Sequence, residues 1–116
     1  MESLNYEPVN PDNTREIDRM TEPIKNDQWV WVVVQDPERN EQFLGQYDEK
    51  KDESFIPVFL EKITAQIGLD YLVREKGHKY EIQAILFEEL VHHAAENGFN
   101  VYVLNGSGHI METIKF

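Results

Sequence analysis

The residues best suited by type to do chemistry lie close together, in Glu88-Glu89-Leu90-Val91-His92-His93-Ala94-Ala95-Glu96. Side chains four apart on a helix meet on one face, so Glu88 can pair with His92 and Glu89 with His93, and each pair could give two ligands to a divalent cation. Carboxylate and imidazole together are also the equipment of a metal-dependent hydrolase. The spacing is permissive and no more: neither H-E-x-x-H nor H-x-x-E-H is present, and a third ligand would have to come from His78, His109 or an acid distant in sequence. We carry Glu89, His92, His93 and Glu96 as the metal-ligating candidates. The preferred reading of the same residues is the wet face of an amphipathic helix.

Other groups yield less. Asn105-Gly106-Ser107-Gly108-His109 is the kind of glycine-rich turn that can aim N–H groups at an anion, yet it has no following helix and no Lys or Arg within five residues on either side. It reads as a hairpin turn. Ser107, His109 and Glu112 are the residue types of a hydrolytic triad, but near neighbours on one hairpin do not reach triad geometry. Asp48 to Glu53 holds four acids without the D-x-D-x-D-G order of a calcium loop, and Lys50 and Lys51 sit among them. Trp29 and Trp31 share a strand face and could stack a ligand with Tyr102, although packing in the core suits them better. No catalytic residue is assigned, and no cofactor is called for.

These residues must be positioned by one small domain. The chain has 116 residues, of which 41% are apolar and 11% aromatic, enough for a packed interior. It has 22 acids against 11 bases, a formal net charge of -11 that repels nucleic acid and anionic lipid. With no cysteine, disulfides, thiol catalysis and Cys-based zinc sites are excluded. The longest apolar run, Trp29 to Val34, is far short of the roughly 20 residues that span a bilayer, and the charged N-terminus cannot serve as a secretory h-region. A cytoplasmic protein with a protein partner is expected.

Residues 1–27 hold seven acids, three bases and three prolines, and read as an acidic N-terminal arm with one marginal helical turn around Asn13 to Met20. The domain is expected over residues 28–116. Trp29 to Val34 is β-branched or aromatic at every position, which predicts a strand covered on both faces. Asp36-Pro37-Glu38-Arg39-Asn40 turns it into a returning strand over 41–47, with Gly45 a candidate bulge. Phe55 to Leu60 is a third strand, whose Pro57 should lie at an edge or at the end of pairing. A helix is predicted over 61–76 from Ala65, Leu69, Leu72 and Val73, with Gly77 as its left-handed cap. A strand over 79–85, a helix over 87–97 with the stripe Phe87, Leu90, Val91, Ala94 and Ala95, and strands over 99–104 and 109–116 complete the chain. The fold class is α/β (α+β): a single domain with a mixed β-sheet packed by two helices, in the order β-β-β-α-β-α-β-β. Two successive strand-helix-strand units favour parallel pairing.

Phe55-Ile56-Pro57-Val58-Phe59-Leu60 followed by a helix, then Glu96-Asn97-Gly98 and Val101-Tyr102-Val103-Leu104-Asn105, resembles the N-terminal domain of SseB-like bacterial proteins. Gly106 stands where that family's turn has proline, and the layout covers roughly residues 28–110. The resemblance implies a compact α+β or α/β domain of a bacterium, with no catalytic set to carry over. Two functions therefore compete: a non-enzymatic protein-interaction or regulatory module, and a divalent-metal-binding protein or hydrolase built on the His92/His93 helix.

Overall fold

The computed structural model describes residues 23–116, so the acidic arm up to Glu22 and the turn around Asn13 to Met20 lie outside the described residues. Strand β1 (Trp29–Gln35) carries the apolar run, and Val30, Val32, Val33 and Val34 are all buried, two-sided cover that the absence of polar residues anticipates. It pairs antiparallel with the short β2 (Gln42–Phe43) on one side. Three further strands follow in sequence: β3 (Gln46–Asp48), β4 (Glu53–Val58) and, after the first helix, β5 (Tyr80–Leu86). The last two are β6 (Asn100–Leu104) and β7 (Ile110–Ile114). One sheet has the order β2-β1-β5 and the other β3-β4-β6-β7.

The α+β class is as the sequence reading has it, but its single sheet is divided in two, and its strand over 41–47 into β2 and β3. Both divisions have one cause. At Leu44 and Gly45 the chain leaves β1 and moves across to β4, with the Leu44 amide still donating to Val33 O at 2.9 Å. A Cβ on Gly45 would stand 2.9 Å from the Phe99 ring, so this crossing needs glycine for space rather than for a bulge. The sheets stay joined at a corner, where Trp31 and Phe59 exchange N–H···O bonds of 2.8 and 2.9 Å. Because β4 and β5 fall in different sheets, the expected pair of parallel crossovers reduces to one parallel pairing, β4 with β6, in which Phe55 faces Asn100. Pro57 lies past the end of the β3 ladder, which stops at Phe55, so its missing N–H falls where pairing on that side has ended.

Helix α2 (Phe87–Glu96) covers one face, burying Phe87, Leu90 and Ala94 against Val30, Val32, Ile56, Val58 and Val101. It has no side-chain cap at its start; the amides of Phe87 and Glu88 instead donate to Gln28 O (2.9 Å) and Asn26 O (3.0 Å). Ile24 packs against the same core. The packed chain therefore begins before Gln28, the boundary that composition suggested. Gly98, at φ +79°, follows the helix in the left-handed conformation that glycine adopts without strain.

Helix α1 (Lys62–Gly68) packs on the opposite face against Phe59, and a 3-10 turn over Leu69–Tyr71 continues it. The predicted helix over 61–76 is thus less than half as long. Leu72 is already extended (φ -95°, ψ 147°), and the Gln46 side chain holds the next residue: Val73 N donates to Gln46 Oε1 and Gln46 Nε2 to Val73 O, each at 2.9 Å. This amide stands in for a paired strand and wins the Val73 backbone from the helix. Gly77 does have a positive φ, but in a later turn. Among the described residues no helix is long and apolar enough to cross a membrane.

Candidate functional site

The helix that carries the candidate ligands spreads them. Glu89, His92, His93 and Glu96 are all exposed on α2. His92 Nε2 lies 3.2 Å from Glu96 Oε2, one turn onward, rather than near Glu88. His93 sets its ring edge-on to Phe43, at 4.6 Å between centroids and 86° between planes, and borders a hollow of about 290 Å³ with Val32, Glu41 and Ile85. The remaining imidazoles belong elsewhere. His78 Nδ1 meets Asp36 Oδ2 at 2.7 Å beyond the end of β1, and His109 sits in the β6–β7 turn. Among the described residues, no three His, Asp or Glu side chains gather at metal-binding spacing.

Asp36, at φ +53°, accepts from His78 and from the Lys79 amide, and these hydrogen bonds hold its carboxyl below the usual range. The glycine-rich turn is closed from within: Asn105 Oδ1 accepts from the amides of Ser107 (2.9 Å) and His109 (3.0 Å). The N–H groups of Ser107, Gly108 and His109 are thus committed to Asn105 rather than turned outward to an anion. Trp29 is 59% exposed, a departure from core packing that its position at the open end of β1 explains. Trp31 is half-buried, with Lys62 Nζ 5.7 Å from its ring.

A cleft of about 1000 Å³ opens on the side of β4 and β6 turned away from α2. Side-chain alternation sends Phe55 and Tyr102 to this side; half-buried Phe55 forms the floor and the buried Tyr102 ring backs it, stacked at 4.0 Å and 9°. Tyr47, Tyr71 and Tyr80 stand around it, with Leu72 and Val73 as the wall that Gln46 pins in place. Asp48, Glu49 and Glu75 line it against one base, Lys50.

Beneath this surface is a charged linkage. Tyr102 is wholly buried, and its hydroxyl meets Glu53 Oε2 at 2.9 Å and Asp48 Oδ2 at 3.1 Å. Burial first, then these two carboxylates, push the phenol well above its ordinary range, because a phenolate here would be desolvated beside like charge. Glu53 also takes Lys115 Nζ at 2.9 Å, and that ion pair with the Tyr102 hydroxyl holds its carboxyl below the ordinary range. Asp48 spends its other oxygen on the Lys50 and Lys51 amides, an Asx-type closure that makes the charged loop a turn rather than a calcium site. The Tyr47 hydroxyl donates to Asp52, which raises the Tyr47 phenol.

Sequence reasoning placed Tyr102 only as a third aromatic beside Trp29 and Trp31; its partners are 49 and 54 residues away, and nothing local marks them. Compared with protein-family models, curated proteins and solved structures, the chain matches none.

Proposed function

We propose that the chain is a non-enzymatic protein-interaction module of the bacterial cytoplasm, and that its cleft receives a basic segment of a partner protein. The observation that carries this reading is the combination of an aromatic floor with an acid-rich margin on a molecule of net charge -11. Aromatic surface supplies anchoring area, and the acids steer a cationic segment in and disfavour anionic competitors. The carboxylates are committed to Tyr102, Lys115 and the turn amides, which suits a rigid recognition surface better than proton transfer. The resemblance to SseB-like proteins read from residues 28–110, which implies no catalytic set, is in keeping with this reading.

The test is a comparison of pull-downs from native lysate with the full chain, a chain beginning at Pro23, and Tyr47→Ala in the full chain. Tyr47 is 56% exposed, so its loss should leave the fold intact. A partner held by both lengths, lost with Tyr47→Ala and released by salt is the expected result. Capture that ignores both Tyr47 and salt would contradict the cleft reading.

A further inference from the structure

Helix α1 has two faces, and among the described residues the second stays largely exposed. Its inner row, Ala65 and Gly68, continued by Leu72, is buried on Phe59. Its outer row, Ile63 and Ile67, continued by Tyr71, is 58%, 54% and 63% exposed. The spacing of four sets these three in line. Beside that line runs the β6–β7 turn: a Cβ on Gly106 would stand 3.6 Å from Ile67 Cγ2, and one on Gly108 2.8 Å from Tyr71 Cβ. Helix and turn therefore make one continuous face, which exposed Ile110 extends.

Charge distinguishes this face from the cleft. Residues 55–74 contain two acids, Glu61 and Asp70, and two bases, Lys62 and Arg74, while residues 97–111 contain no Asp, Glu, Lys or Arg at all. An electroneutral apolar face on so acidic a molecule gives neither a basic nor an acidic partner any net attraction. It does complement itself. Glu61 and Lys62 stand where α1 begins and Asp70 and Arg74 beyond its end, so two copies laid antiparallel about a twofold axis bring Glu61 toward Arg74 and Lys62 toward Asp70 at both ends. Within one copy Asp70 is 81% exposed and touches Arg74 only at 3.8 Å, which leaves it accessible to such an exchange.

We propose that this face joins a second copy of the chain in an isologous dimer through the Ile63, Ile67 and Tyr71 row. The dimer face meets the cleft at Tyr71 and Ile110, which border both, but Ile63 and Ile67 lie outside the cleft lining and the dimer's salt response differs. Screening relieves repulsion between two copies of charge -11 while it weakens the cross-copy ion pairs, so the dimer, held by its apolar row, persists in added salt that releases a basic partner.

Sedimentation of the full chain at rising concentration tests this, alongside Ile67→Glu, Arg74→Glu, and Arg74→Glu combined with Glu61→Arg. The wild type is expected to pass from monomer to dimer by about 0.2 mM, a moderate affinity for a small face. Ile67→Glu is expected to stay monomeric with an unchanged circular dichroism spectrum. Arg74→Glu should weaken association several-fold, and the double exchange, which keeps net charge at the wild-type value, should restore it. A wild type that is monomeric throughout, or a dimer that survives Ile67→Glu, overturns the proposal; a double exchange as weak as the single one overturns the antiparallel arrangement. Tyr47→Ala should dimerise normally, which separates failure of this face from failure of the cleft.

Discussion

Tyr102 has no exposed surface yet carries a hydroxyl, so its place in the core depends on the two carboxylates that meet it. Tyr102→Phe keeps the ring stacked on Phe55 and removes only that linkage. Hydrogen bonds to charged acceptors contribute about 1.5–3 kcal/mol, and a loss of about that size is expected in urea unfolding. The same residue sets an alkaline limit. In the unfolded chain a phenol ionises near about 10, whereas folded Tyr102 keeps its proton to higher pH. Above that point the unfolded state binds fewer protons than the folded one, so stability falls as pH rises. Tyr102→Phe should show a shallower alkaline fall. At the acid end the sign reverses: Glu53 and Asp36 have lowered folded values, so their contribution is full above about 4.5 and is lost as pH falls through those values. Lys115→Met should shift the acid unfolding midpoint upward.

At the scale of elements, strands and α2 were legible because their signals are local: the apolar run of β1, the stripe of α2 and the Asn105 turn each appear within a dozen residues. The length of α1 was not legible, because Leu69, Leu72 and Val73 fit a helical period and the residue that ends the helix is Gln46, 27 positions earlier. Gln46→Ala should speed hydrogen exchange at Val73 by at least tenfold while leaving the α2 amides unchanged, as expected for a local opening. Gly68 makes the complementary point. Alanine is ordinarily the better helix former by about 1 kcal/mol, but a Cβ here would stand 2.4 Å from the Phe59 ring. Gly68→Ala should therefore destabilise by about 1–3 kcal/mol, an overpacking effect that thermal unfolding will read.

For the molecule as a whole, composition foretold an acidic domain with a core and left the placement of its acids open. The cleft escaped the sequence because its floor joins β4 to β6 and its wall is the segment that fails to be helix. The His/Glu pattern was visible early for the opposite reason: four residues on one helix are conspicuous in a string of letters, while their companions His78 and His109 go to separate ends of the sheets. The most direct test of the central claim is amide chemical-shift mapping of the labelled full chain against two pools of short peptides. One pool combines aromatic with Lys and Arg positions, and the other replaces the bases by Glu. Shifts at Tyr47, Asp48, Phe55 and Val73 with the basic pool alone, fading as salt is added, are the expected result. Equal shifts from both pools, or shifts confined to α2 around His93, would contradict it.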